Sequence, residues 1–315
     1  MDVLSQQEWF ARMMKKELGT RASFRAMYST WWDGIVVDPA LMMIPIDDHQ
    51  VHRGDAVFEA MKAVQGRIYL CQEHLERMER SAAAIGLIRP LSRTQVLEAI
   101  QRTLQISGLQ DAILRLFLGR GPGTFTTNPY DTMGAQFHCV VTELKPLPEA
   151  KVENGVSMAL SEIPPKDPWL AKIKSCNYLP NVLMKKEAVD WGVDFTIGVG
   201  PDGVLTEGST ENLILLDREG RLIRPRSQGI LQGTTMMRIF ELATPACGVR
   251  EKLERDLTLL DLEQADEVMI VGTTLDVLGV TRWGERTFGG GRPGPVTNQL
   301  RRLLIADQKN DIRGG

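Results

Sequence analysis

From Phe195 to Ile223 the chain reads as short apolar runs separated by segments that can only be turns. Phe195–Val199 runs into Pro201-Asp202-Gly203, and Val204-Leu205 and Asn212–Leu216 follow. Asp217-Arg218-Glu219-Gly220 then turns the chain into Arg221-Leu222-Ile223. Apolar runs this short, punctuated by Asp, Gly and Pro, specify neighbouring antiparallel strands, because those residues supply the backbone angles a tight reversal needs. Helical patterns flank this meander and do not alternate with its strands. The expected class is therefore α+β, not a doubly wound parallel sheet.

The rest of the chain fits that class. Gln6 to Leu18 mixes Trp9, Phe10, Met13 and Met14 with Lys and Glu and reads as an amphipathic N-terminal extension, about residues 1–25. Strands are expected at Gly34-Ile35-Val36-Val37, Met42–Ile46 and Ala56–Val64, the last turning at Gln65-Gly66 into Arg67–Leu70. A helix over Gln72–Ile85 turns Leu75, Met78, Ala82 and Ile85 to one face, with Gly86 as its stop. From the residues alone, Arg77 falls on its polar face. A second helix opens at Ser92, with Gln95 placed for a reciprocal cap. Strands follow at Ala112–Leu118, Gln136–Thr142 and Gly155–Ile163. A helix from Tyr178 to Trp191 takes Asn177 as cap, Pro180 in its first turn and Gly192 as its end. Another helix follows Gly233, a strand spans Glu267–Val271, and the last helix covers Val296–Asp307. At 315 residues the chain exceeds one typical domain. Lys145-Pro146-Leu147-Pro148-Glu149 is the best linker, dividing a smaller domain, about 1–146, from a larger one, about 147–315.

Composition serves to exclude. A net charge of −3 gives no electrostatic reason to hold nucleic acid. No apolar run approaches the roughly 18–20 residues a membrane span needs, and the start lacks a secretory pattern. Cys71, Cys139, Cys176 and Cys247 are scattered and form no CxxC, so neither a metal site nor a disulfide framework is expected. These features point to a cytoplasmic protein. The chain also lacks a phosphate-binding Walker loop, HExxH and GxSxG.

Four features carry chemistry. Lys174, just before a helix in Ile173-Lys174-Ser175-Cys176-Asn177-Tyr178, suits Schiff-base formation if its pKa is lowered, although on spacing alone it reads as a solvated lysine. Glu207, in Leu205-Thr206-Glu207-Gly208-Ser209-Thr210-Glu211-Asn212, suits a cationic ring nitrogen, or is a surface acid on a turn. Ile230-Leu231-Gln232-Gly233-Thr234-Thr235 enters a helix, where free N–H groups and two hydroxyls favour an anion, or where one threonine is a plain cap. Gly272-Thr273-Thr274 ends a strand and either adds donors to the same anion or is a simple turn. A Schiff-base lysine, an acid for a ring nitrogen and an anion cup are together what pyridoxal 5'-phosphate needs.

Five segments, in order, resemble the fold-type IV (class IV) pyridoxal-phosphate aminotransferases. They are His52–Glu59, which looks like the family's early strand; Glu73–Ala82, similar to "HLxRLxxSA"; Lys174–Asn181; Thr206–Asn212, similar to "TEGSSSN"; and Ile230–Thr235 with Arg238, similar to "ILPGITR". The resemblance runs from about Trp32 to Asp307. It implies a two-domain α+β subunit with a smaller N-terminal domain, a larger β-rich domain, the cofactor between them, and a homodimer. It implies that Lys174 forms the aldimine and shuttles the proton, that Glu207 pairs with the ring nitrogen, that Arg77, Thr234, Thr235 and Thr273 hold the phosphate, and that Tyr178 lies near the ring.

The implied activity moves an amino group between an amino acid, of D or branched-chain type, and a 2-oxo acid. The alternative in the same family is 4-amino-4-deoxychorismate lyase, which eliminates pyruvate. Ile113-Leu114-Arg115-Leu116 departs from the branched-chain "YIRP", and Arg120-Gly121 is similar to the D-amino-acid enzymes, although Pro122 stands where they carry histidine. Arg53, Arg115 and Arg120 are candidates for a substrate carboxylate, because a guanidinium grips one bidentately. Thr274 joins them as a substrate-binding candidate.

Overall fold

The computed structural model describes residues 1–16, 19–226 and 228–310. They divide into two compact units, one from Met1–Ile68 and Ile85–Leu144, the other from Tyr69–Ala84 and the chain from Lys145 onward. The helix Cys71–Ala84, which the sequence places in the first domain, thus belongs to the second unit.

The first unit is built on a six-stranded sheet in the order Gly34–Val36, Phe24–Ser29, Gln136–Glu143, Ala112–Gly119, Ala56–Val64, Arg67–Ile68. Every pairing in it is antiparallel. The helix Arg93–Ser107 lies against this sheet, opened by the reciprocal Ser92–Gln95 cap and closed by Gly108 in the left-handed region. Two expectations fail here. Met42–Ile46 is not a strand, because side chains take its carbonyls: Arg21 donates to the Met42 oxygen and Trp32 Nε1 to that of Met43. His52 and Arg53 are not in a strand either. They close the short helix His49–Arg53, which Gly54 ends at φ 66°, and the strand begins at Ala56. The N-terminal helix covers Gln6–Met14, and Leu18 lies outside the described residues.

The second unit holds a nine-stranded mixed sheet, in the order Glu251–Glu254, Arg221–Arg224, Asn212–Leu216, Glu267–Gly272, Asp276–Trp283, Val156–Leu160, Phe195–Val199, Leu205–Gly208, with Arg286–Thr287 pairing to Asp276–Trp283. Its central strands are buried on both faces. In Asn212–Leu216, Ile214 and Leu216 point into one core, with Met236, Ile239, Val296 and Leu300 of the helices Thr234–Leu242 and Pro295–Asn310. Leu213 and Leu215 point into the other, with Leu262, Val280 and Phe288. Successive residues alternate between faces, so an unbroken apolar run fills two cores at once. That double burial makes these strand ends a firm base for polar loops.

Candidate active site

The helix Cys71–Ala84 buries Cys71, His74, Leu75, Met78, Ser81 and Ala82 at helical spacing. Arg77 is on this buried side, 6% exposed, and not on a solvated polar face as the sequence suggests. Its Nη1 donates to the Gln232 carbonyl at 3.0 Å, and its Nη2 lies 3.4 Å from His74 Nδ1. A guanidinium can only donate, so Nδ1 of a neutral His74 is the acceptor and Nε2 carries the proton. Nε2 lies 3.2 Å from Thr234 Oγ1 and donates to it. The Thr234 hydroxyl then accepts from His74 and keeps its own proton free to donate.

Lys174 is half-buried, and its backbone N–H donates to Ser81 Oγ at 3.2 Å. One helix therefore supplies both Arg77 and the anchor for the lysine. The helix that follows is Leu179–Asp190, with Pro180 in its first turn. Its cap position is Tyr178, which makes no side-chain cap, and not Asn177, which is exposed. Asn181, one turn in, donates from Nδ2 to the Ser209 carbonyl at 2.6 Å, while its Oδ1 is buried with no hydrogen-bond partner.

Glu207 is the penultimate residue of the strand Leu205–Gly208. One of its oxygens accepts the Leu231 N–H at 2.9 Å; the other accepts no hydrogen bond from a described residue. The Leu231 carbonyl accepts from Asn212 Nδ2 at 3.0 Å. One peptide segment is thus held by Glu207, Asn212 and, a residue later, Arg77. Removal from bulk water pushes the Glu207 pKa up to about 7, against the opposing pull of the Leu231 N–H, Lys166, Lys174 and Arg77.

Behind that segment the helix Thr234–Leu242 starts at Gly233 with no side-chain cap. A Cβ on Gly233 would meet Asn212 Oδ1 at 1.9 Å, so a larger residue would displace the amide that holds the Leu231 carbonyl. Thr234 and Thr235 are both buried inside the helix, so neither is the plain cap.

Arg77, Lys174, Tyr178, Glu207, Thr234, Thr235 and Thr273 line one cavity of the second unit. Asn181, Glu211 and Lys166, to which sequence reasoning gave no role, line it too. Glu211 is buried and accepts from the Thr210 N–H at 2.9 Å and from Ser209 Oγ at 3.3 Å, shaping the loop after Glu207. Thr274 is exposed and does not line the cavity. The three arginines expected at the substrate belong to the first unit and are placed by its own contacts. Arg120 pairs with Asp55 at 3.0 Å and donates to the carbonyls of Ile85 and Gly86. Arg53 donates to the carbonyls of His52 and Phe125, and Arg115 to Thr142 Oγ1.

The donor set fits pyridoxal phosphate. The uncapped helix start, the Thr234 hydroxyl lining the cavity and Arg77 suit a phosphate. The open oxygen of Glu207 suits a protonated ring nitrogen, and Lys174 shares the same cavity. Such a site defines a pyridoxal-phosphate enzyme.

Comparison with known proteins narrows the class. The family model described as amino-transferase class IV matches residues 56–283. The chloroplastic D-amino-acid transaminase of Arabidopsis thaliana is 34% identical over 322 residues, covering 97% of this chain and 84% of that protein. The putative branched-chain-amino-acid aminotransferase of Methanocaldococcus jannaschii is 29% identical, covering 85% of this chain and 92% of its own. The crystal structure of the Escherichia coli branched-chain amino acid aminotransferase shares the fold, with a TM-score of 0.84 at 23% identity over 92% of this chain and 98% of that one. The chain belongs to the class IV aminotransferases and is a pyridoxal-phosphate-dependent transaminase acting on amino and 2-oxo acids.

Proposed function

We propose that the protein is a cytoplasmic homodimeric D-amino-acid transaminase whose chemistry is carried by Lys174 and Glu207. The observation that carries the site assignment is the meeting of Lys174, Glu207 and the Arg77–threonine cup in one cavity. The D-amino-acid preference rests on the 34% identity that runs through 97% of the chain. No described helix is long and apolar enough to cross a membrane.

When bound, pyridoxal phosphate supplies an aromatic ring that accepts the electrons left as the substrate Cα loses its proton. The chain's residues supply the rest. Arg77, Thr234, Thr235 and Thr273 hold the phosphate and so fix the ring. Glu207 keeps a proton on the ring nitrogen; a carboxylate buried beside a cation is well matched, whereas alone it is held near neutrality. Lys174 Nζ takes the proton from Cα and returns one on the cofactor side, the general base and acid of the cycle. The Ser81 contact fixes the backbone from which Lys174 reaches. Water then releases a 2-oxo acid, and a second 2-oxo acid runs the same steps in reverse.

The test is a titration of cofactor-loaded protein with single D- and L-amino acids, without any oxo acid. Bleaching of the bound-cofactor absorbance by D-alanine or D-glutamate supports the reading. Bleaching by L-branched-chain donors alone replaces it with the branched-chain activity. Gel filtration with light scattering tests the dimer.

A further inference from the structure

Lys166 is the cation in this cavity to which neither the cofactor nor the fold gives a task. It lies on the segment between the strand Val156–Leu160 and the helix Pro168–Ala171, with Pro164 and Pro165 before it and Pro168 after it. Prolines restrict the backbone and so hold its position. The side chain is half-buried, lines the cavity with Lys174 and Glu207, and sets its ammonium 4.8 Å from the centre of the Tyr178 ring. It makes no hydrogen bond or ion pair with any described residue. A ring face orients an ammonium without neutralising it. The charge therefore stays available to a ligand, in a place where water competes weakly.

We propose that Lys166 binds a carboxylate of the amino-acid and 2-oxo-acid substrates. This rests on the reading that Lys174 and Glu207 work in this cavity. Every substrate of the reaction carries at least one carboxylate, and the cavity's other cations are engaged: Arg77 holds the Gln232 carbonyl, and Lys174 serves the cofactor. Burial pulls the Lys166 pKa below its ordinary value, while the charge of Glu207 acts the other way. An arriving carboxylate favours the ammonium form and is bound by it. The Tyr178 ring, beneath the ammonium, keeps the lysine aimed.

The experiment compares wild type, Lys166→Met and Lys166→Arg, each loaded with pyridoxal phosphate. The visible absorbance of bound cofactor reports folding and loading. Calorimetry then gives the Kd for two unreactive probes, isovalerate and glutarate, and steady-state assays give KM and kcat. The methionine variant is expected to keep its cofactor, to weaken both probes about tenfold and to raise KM in step, because a charge-assisted hydrogen bond is lost. Its kcat should stay within about threefold, and Lys166→Arg should recover most of the affinity. Weakening of both probes assigns the carboxylate common to all substrates; weakening of glutarate alone assigns a side-chain carboxylate. Unchanged Kd and KM in the methionine variant overturn the proposal while leaving Lys174 and Glu207 in place. A wild type that neither retains cofactor nor transaminates overturns the underlying reading, and this proposal with it.

Discussion

Ser81 Oγ accepts the backbone N–H of Lys174 at 3.2 Å. The contact joins a helix from the first third of the chain to the lysine of the second unit. The same helix face carries Arg77 and His74, so phosphate grip and lysine placement come from one rigid element. Ser81→Ala should leave the cofactor bound but let the Lys174 backbone drift. We expect kcat to fall about five- to tenfold, the equivalent of one neutral hydrogen bond, with KM little changed. Stopped-flow bleaching by the amino donor would show it, and an unaltered rate would remove the serine from the positioning role.

Lys174→Ala should abolish turnover, because the same amine is both the attachment point and the base. Borohydride treatment of the loaded wild type should fix the cofactor to the peptide that contains Lys174, read by mass spectrometry. Attachment to another lysine, or residual turnover above about one part in a thousand, would sink the assignment.

Much of this site was legible in the sequence, for a physical reason. Gly233 packs against the Asn212 side chain, which an added Cβ would displace, and Glu207 lies in a short strand beside Phe195–Val199, whose Ile197 is buried in the core. Such constraints leave short, recognisable patterns. Arg77 was not legible from periodicity, because burying an arginine on an apolar face depends on a partner distant in the chain, the Gln232 carbonyl, as well as on His74 one turn away. The strand Asp276–Trp283 was hidden too. It opens at Asp276 in the left-handed region and contains Gly279, which usually reads as a break. Here the glycine admits Pro293, whose Cβ would lie 2.8 Å from an added Cβ. The strand Phe24–Ser29 went unread although Asp33-Gly34 turns the chain from it into its partner Gly34–Val36, and its place is set by pairing on both sides. Lys166 sits in a proline-rich loop that carries no periodic signal at all.

His74 offers a test of how the phosphate cup is wired. Arg77 fixes the Nδ1 of neutral His74 as acceptor, which commits Nε2–H to Thr234 and leaves that hydroxyl's own proton free to donate. His74→Phe should therefore weaken pyridoxal phosphate binding about five- to tenfold, since a buried hydroxyl loses its donor and its orientation. His74→Gln, whose amide both accepts and donates, should recover part of it. Fluorescence titration of cofactor-free protein gives both Kd values, and equal values for wild type and His74→Phe would dissolve the relay.

Glu207 makes the stability of the cofactor-free protein depend on pH, with a definite sign. Its pKa rises from about 4.5 to about 7 because burial penalises the carboxylate. The folded protein then binds more protons than the unfolded chain between those values. The stability tied to the protonated acid is fully present below about pH 4.5 and is lost as pH climbs through 7. Glu207→Gln keeps a neutral group at every pH. Relative to wild type, the cofactor-free variant should gain stability from pH 5 to 8, by on the order of 2–3 kcal/mol in total. Adding cofactor should reverse the order at pH 8, because the wild-type carboxylate then has a cation to face and the amide does not. Thermal melts of both proteins at four pH values, with and without pyridoxal phosphate, measure this directly. A constant gap between the two melting temperatures across that range would show that Glu207 does not titrate in the cavity.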